Sequence, residues 1–355
     1  MSFEKPYPPN PITYSHYNAL VDALEARFGA GAVGYLKDRT QILNSRGNLW
    51  DFQPGNVQNA IDDILNEPSG GAVWLPKGMI TETAGWTIDE VYPVHIYGAG
   101  MCWHGLNYGT MIKFNLASGV HCIDIGEDGD TAHFGGLYDM GLYPVGGDRD
   151  VVYLDRVSDW HMERVYMNSA KRHGLHVRST GDSWNLWVKD NLIENCVGSG
   201  IRLDGGAGAG VILKSYFLSN YFYANNIDIE AGNLDGTSGQ VRLCQFHNNQ
   251  HFNTAGVGFK MYRKCESFII MGHVFYKTGG DAIDIDDDGE VNKCFRINIG
   301  PLIIDGDGTT PNGVDIQGYT DHLVLDNYQI FDVTGSAVNQ GINATNILKG
   351  EGFES

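Results

Sequence analysis

Carboxylates recur in this 355-residue chain at spacings that suit glycosidic chemistry. Asp204, Glu230 and Asp286 each close a four-residue segment of alternating apolar and polar residues: Ile201-Arg-Leu-Asp204, Ile227-Asp-Ile-Glu230 and Ile283-Asp-Ile-Asp286. Cleaving a glycosidic bond takes two carboxyl groups, about 5 Å apart for retention and about 6.5–9.5 Å apart for inversion. If these segments are strands stacked about 4.8 Å apart, Asp204 and Glu230 fall near the first distance. Glu230 and Asp286, two layers apart, fall near the upper limit of the second. Close like charges raise one of the two pKa values, which is what a general acid needs. The plainer reading is a ladder of ion pairs, because Arg202, Asp228, Lys260 and Asp284 alternate in sign along the middle positions of the same segments.

Arg178, Lys260 and Tyr262 share these two rows and are expected to contact substrate. Trp187 belongs to an aromatic group with Trp184 and the run Ser215-Tyr-Phe-Leu-Ser-Asn-Tyr-Phe-Tyr223, whose rings offer flat apolar faces to a sugar or fill a core. His247 and His251, in Gln245-Phe-His-Asn-Asn-Gln-His251, are acid/base candidates or members of a structural turn. Asp284-x-Asp286-x-Asp288-Gly289 matches the start of a calcium loop, but Phe295 stands where an EF-hand needs its bidentate Glu. A shallow calcium site at Asp284, Asp286, Asp287 and Asp288 remains as an expectation, beside the alternative of an Asp/Gly-rich turn.

The elements that must position these residues are legible as a repeat. The four-residue unit recurs from Val152-Tyr-Leu-Asp155 through Leu175-His-Val-Arg178, Phe259-Lys-Met-Tyr262 and Val314-Asp-Ile-Gln317 to Val338-Asn-Gln-Gly341, every 23 to 32 residues. A second strand, such as Leu186-Trp-Val, Val211-Ile-Leu or Phe268-Ile-Ile, lies inside nearly every unit. Short strands at that period, with no helices between them, predict a β-solenoid rather than a propeller or a leucine-rich repeat. First and third residues then point inward as apolar ladders, while second and fourth point outward. The solenoid is expected from about residue 70 to about 345. A helix over Asn56 to Leu65, with Val57, Ile61 and Leu65 on one side, is expected to cover its open end. Residues 1–50 read as an N-terminal arm, Pro-rich from Pro6 to Pro11, with a helix capped by Ser15 and striped by Leu20, Leu24 and Phe28. Residues 51–355 read as the solenoid with its capping helix.

Composition agrees. The chain has 47 Gly and 42% hydrophobic residues, enough for a frequently turning backbone around a continuous core. A formal charge of −19 repels phosphate backbones and argues against nucleic acid as partner. No apolar run approaches the roughly 18 residues that span a bilayer, so membrane insertion is not expected. The start, Met1-Ser-Phe-Glu-Lys-Pro6, lacks a signal-peptide pattern. That predicts either a removed leader or assembly in the cytoplasm, as for virion proteins. The six cysteines form no CxxC pair and read as buried thiols.

The segment Gly70-Gly-Ala-Val-Trp-Leu-Pro-Lys-Gly78, followed by Val94-His-Ile-Tyr-Gly-Ala-Gly100, resembles the opening of pectate-lyase-like right-handed parallel β-helix proteins. That superfamily includes polysaccharide lyases, family 28-like glycoside hydrolases and phage tailspikes. The resemblance implies an all-β, right-handed parallel β-helix acting on extracellular polysaccharide, located outside the cell or on a virion surface. For the tailspike branch it implies a homotrimer. Asp281-Ala-Ile-Asp-Ile-Asp-Asp-Asp288 is similar to the clustered aspartates that family 28 hydrolases use as acid and base, which adds Asp287 to the catalytic candidates. Gly272-His273 and Arg296-Ile-Asn298 resemble two further motifs of that family. Here His273 precedes the aspartates and Asn298 stands in place of Lys. The expected activity is glycoside hydrolysis, with no cofactor required. A calcium-assisted lyase and a non-catalytic glycan-binding spike are the alternatives.

Overall fold

The structure, a computed structural model, describes residues 41–66, 69–89, 92–102, 109–126, 132–147, 149–206, 210–233, 239–286 and 293–354. The arm helix expected around Ser15, Leu20, Leu24 and Phe28 lies outside these residues, as do Asp287 and Asp288.

Ten short parallel strands form one sheet, running from Trp86–Ile88 through Ser199–Asp204 and Ile227–Gly232 to Val338–Gln340. A second, 28-stranded sheet wraps the remaining sides. Each coil in the middle of the chain contributes one strand to the first sheet and three to the second, as in Ser199–Asp204, Val211–Leu213, Tyr216–Leu218 and Tyr221–Tyr223. All described pairings are parallel except those of Gln41–Asn44 with Leu49–Asp51 and with Gly71–Trp74. Residues 41–51, on both sides of the boundary expected at 50/51, are therefore already part of the sheet. The helix spans Asn56–Leu65 and buries Val57, Ala60, Ile61 and Ile64 against the first coils. At the far end the strands run on past 345 to Glu354.

Inside, like residues stack on like. Ile123, Val152, Leu175, Ile201, Ile229 and Phe259 occupy successive positions of one inward ladder, all buried. Each such side chain contributes about 1.5–3 kcal/mol of transfer free energy. All six cysteines are buried thiols outside any disulfide, and burial pushes the Cys196 and Cys244 thiols up to about 12.

Asparagine, aspartate and serine share the turning with glycine. Left-handed residues recur every fifth position, at Asn185, Asp190 and Asn195, and one coil later at Lys214, Ser219 and Ala224. The residue after each of these corners points inward. There Asn191, Asn220 and Asn249 form a buried ladder. The Asn220 amide donates to the Val188 carbonyl at 3.0 Å, and its Oδ1 accepts the Asn191 backbone N–H at 3.1 Å. Glycine also serves a second purpose. A Cβ on Gly200 would sit 2.8 Å from the Asp228 carbonyl oxygen and 2.9 Å from the Phe222 ring, so only glycine lets adjoining coils approach.

One coil departs from the expected register. Ile201 pairs with Ile229 and Arg202 with Glu230, so Asp204 lies opposite Gly232 and not Glu230. The two-residue slip keeps Ile229 inward and Glu230 outward, which is why the pattern alone did not reveal it, but just ahead of them Asp228 turns inward against the expected alternation. The slip puts Asp228 at the position of Gly200, facing into the core with no solvent exposure. There it meets His251, which is likewise buried and stacks between Phe222 and Phe275 with ring centroids 5.1 and 4.2 Å away. His251 and the candidate motif residue His273 are thus core residues. The Asn249 amide faces His273 Nε2 at 3.3 Å, His273 Nδ1 faces His251 Nε2 at 3.0 Å, and His251 Nδ1 faces an Asp228 oxygen at 3.2 Å. Asn249 can only donate here, since its Oδ1 takes the Asn220 N–H. That assigns the protons of both imidazoles in the direction of Asp228. Thr254 and Asn225 also donate to the carboxylate.

This core can be tested at two positions. Replacing Asn220 with Ala strands the Asn191 N–H and the Val188 carbonyl, at about 1–3 kcal/mol per buried group. The unfolding midpoint in urea should fall accordingly, and an unchanged midpoint would mean that water fills the gap. Burial raises the Asp228 carboxyl to about 8, against about 4 in an unfolded chain. Folding then takes up a proton, so the group's contribution is complete below about pH 4 and declines as pH rises to about 8. Between about pH 5 and 8 the melting temperature of the parent should therefore fall relative to that of Asp228→Asn. A constant offset would show that the carboxyl does not titrate in that window.

Candidate functional site

The outer face of the ten-strand sheet carries Tyr153, His176, Arg202, Glu230, Lys260 and Asp284 in one row, each paired with the next across adjacent coils. With Glu230 in place of Asp228, the alternation of charge from Arg202 to Asp284 is complete. Arg202 lies 3.7 Å from Glu230 and 3.8 Å from Asp204, and Lys260 lies 3.0 Å from Asp284 and 3.9 Å from Asp286. Asp204 and Glu230 are 3% and 6% exposed, and Glu230 also accepts a hydrogen bond from Ser199. Asp286 stays half-exposed. The three carboxylates proposed from spacing are therefore all tied to a cation, and Asp204 and Glu230 flank Arg202 diagonally. Tyr262 stacks beneath the Lys260 ammonium, 4.8 Å from its ring centre, and burial with the nearby Glu230 raises its phenol.

The same ammonium bears on calcium. Lys260 occupies the space between Asp284 and Asp286 where an ion bound to both would sit. Asp281, Asp284 and Asp315 place oxygens within 4.8 Å of one another, but Asn312 donates twice to Asp281, and Gln317 and Asn339 donate to Asp315. The donor set is already satisfied by amides and an amine, so it does not fit a resident calcium ion.

Trp187 and His247 project from a different face, that of the long sheet. Trp187 is stacked face to face with Tyr216 at 4.3 Å, and His247 contacts Gln245 at 3.2 Å. Stacking along the coil axis occupies the Trp187 face that a sugar would cover.

Arg178 lies elsewhere, at the edge of a cleft of about 440 Å³ at the N-terminal end of the outward row. Its floor holds Tyr153 and His176, and its walls carry Arg149, Arg172 and Arg178 together with Asp124 and His121. The fully buried Asp150 organises the floor. One of its oxygens lies 2.8 Å from His176 Nδ1 and 3.4 Å from His121 Nδ1, and the other accepts the His173 backbone N–H at 3.2 Å. Burial alone would raise Asp150, but the hydrogen bond and charge of His176, with His173 and Arg172, hold it below the usual carboxylate range. The hydrogen bond to this carboxylate puts a proton on His176 Nδ1, while its Nε2 is buried without a hydrogen-bond partner. Burial lowers His173 to about 3, and its Nδ1 accepts the Ser199 N–H at 2.9 Å. Tyr153 stacks on His121 at 4.3 Å and meets His176 edge-on at 5.3 Å. Burial and the neighbouring Asp155 raise the Tyr153 phenol, so it stays protonated. Asp150, Arg149, Arg172 and His121 had no signal in the repeat, because they sit in the connections before the strands.

The family model described as a right handed beta helix region matches residues 145–298. No curated protein matches the chain. Among solved structures it resembles ORF18 of Geobacillus virus E2, with TM-score 0.56 and 18% identity, covering 84% of this chain and 57% of that one. It also resembles an endo-xylogalacturonan hydrolase from Aspergillus tubingensis, with TM-score 0.51 and 11% identity, covering 84% and 89%. A tailspike protein gp49 of Acinetobacter baumannii bacteriophage Fri1, a capsular polysaccharide depolymerase, aligns with TM-score 0.42 and 10% identity over 85% and 62%. This chain thus spans little more than half the length of the virus ORF18 protein. Its parallel coils, and the family model that matches their central part, show the fold of a right-handed parallel β-helix.

Proposed function

We propose that this protein degrades a polysaccharide laid along the outer face of the ten-strand sheet, with the Tyr153–His176 cleft as the place where a sugar residue is gripped. The observation that carries this reading is the cleft itself. It is large enough for a sugar unit, floored by a histidine with an unpartnered buried nitrogen, and continuous with a polar row running the length of the sheet. The likeness to an endo-xylogalacturonan hydrolase from Aspergillus tubingensis supports the same class of substrate. An extended polymer fits a solenoid because both repeat in one dimension. The reading places the protein outside the cell or on a virion, where such polymers occur, with a homotrimer as the assembly to test by light scattering.

Hydrolysis by Asp204, Glu230 and Asp286, with Asp287, is the second reading, and the half-exposed Asp286 is what favours it. The ion pairs of the other two support a ladder that stiffens the sheet. A panel of neutral and acidic polysaccharides, read for new reducing ends and for absorbance of unsaturated uronate, tests degradation. At least one polymer should be cut, and a blank panel in both readouts sinks the proposal. Glu230→Gln and Asp286→Asn then separate the two readings. A ladder role leaves turnover near the parent value, while Glu230→Gln lowers the melting temperature because a mostly buried charge pair is broken. A catalytic role gives a loss of about 10²–10⁴-fold in turnover.

A further inference from the structure

The cleft differs in charge from the molecule that contains it. The chain carries −19 overall, yet three arginines and a single aspartate line this cavity. Of the two other nearby acids, Asp150 is fully buried behind His176 and hydrogen-bonded to it, and the buried Asp155 accepts two hydrogen bonds from Thr180. Arg172 Nε lies 3.9 Å from Asp150, while the Arg172 side chain remains more than a third exposed. Arg149 is exposed and immediately precedes Asp150 in the chain. Tyr153 presents a hydroxyl that hydrogen-bonds to nothing among the described residues.

We propose that this cleft is a carboxylate-binding subsite, and that the polymer gripped there is acidic, carrying uronic acid residues. The assignment deepens the function proposed above and depends on the groove being a polysaccharide site. Guanidinium groups suit such a ligand because each presents paired N–H donors in a plane that matches the two oxygens of a carboxylate. Each also keeps its charge at any working pH. Arg149 and Arg172 receive the carboxylate. Tyr153, kept protonated, donates to a ring or hydroxyl oxygen of the same sugar. His176, whose Nε2 has no hydrogen-bond partner, lines the cleft beside it. Asp150 is a positioning residue, acting only through His176 and His121. In a protein this acidic, the exposed Arg149, with no partner among the described residues, also selects where along the groove a polyanion settles.

The experiment uses the full chain and compares three uronate polymers (polygalacturonate, alginate and hyaluronate) with the same polymers after reduction of their carboxyl groups to alcohols. A sulfated and a phosphorylated neutral glucan are run alongside. Binding of at least one uronate polymer should exceed that of its reduced form by about tenfold or more, as expected for a lost charge-assisted hydrogen bond. The gap should shrink as salt rises. Arg149→Gln, at an exposed position with no partner among the described residues, should close most of the gap without shifting the melting temperature. Tyr153→Phe should weaken the acidic and reduced polymers equally. Equal binding of acidic and reduced polymers, or an Arg149→Gln protein that still discriminates, overturns the carboxylate subsite while leaving the broader polysaccharide reading intact. Stronger binding of the sulfated or phosphorylated glucan, lost in Arg149→Gln, overturns the carboxylate in favour of another anion. Absence of binding to every polymer overturns both.

Discussion

Parallel in-register stacking of coils governs this molecule. Each backbone strand bonds to the strand one coil before and one coil after, so the position of any side chain is set by its neighbours in two other coils and not by residues close in sequence. Apolar residues are drawn into ladders because a single unmatched inward position leaves a void in two interfaces at once. Polar residues inside the wall must find their partners along the same axis. The Asn191–Asn220–Asn249 ladder does this at the corners, where left-handed residues interrupt the strands and leave backbone groups to be satisfied by side chains.

The same stacking explains the candidate site. A strand row can only present what its coils happen to place at one position, and on this sheet it presents alternating charges that neutralise one another from Arg202 to Asp284. Chemistry that needs an unneutralised group must come from where the repeat is broken. The connections before the strands at Val152–Leu154 and Leu175–Arg178 supply it: Asp150, Arg149, Arg172 and His173 come from these connections, and Tyr153 and His176 from the strands they lead into. A rigid scaffold with variable connections is the usual division of labour between fold and function.

Much of the architecture was legible because two periods dominate the sequence. The 3.6-residue period marked Asn56–Leu65 as a helix to the residue, and the two-residue period within a longer repeat marked the strands and their inward faces. Register within a coil was less legible. Ile227-Asp-Ile-Glu230 fits the unit equally well at two offsets, and only the side chains of Asn225, Thr254 and His251 choose between them. Glycine was read only in part, since it serves in turns and also where coils approach. Its frequency reflects both turns with positive φ, as at Gly206 and Gly272, and the close approach of coils at positions such as Gly200, while many corners use asparagine, aspartate, serine and even Lys214 and Leu243. The cleft could not be read from rows at all, because its ordering acid lies outside every strand.

Where Gly200 packs on Phe222 and Gly258 on Phe275, the coil between them has Asp228 against His251. Consecutive coils of this solenoid are otherwise near copies, and a nascent chain has little to tell one rung from the next. Docking displaced by a whole coil would keep most apolar contacts, yet it would press Asp228 against a phenylalanine ring. An unpaired buried carboxylate or imidazole is far more costly than a mismatched methyl group. The pair therefore works as a key cut for one rung. It gives the growing stack a fixed origin from which the coils on either side can be counted.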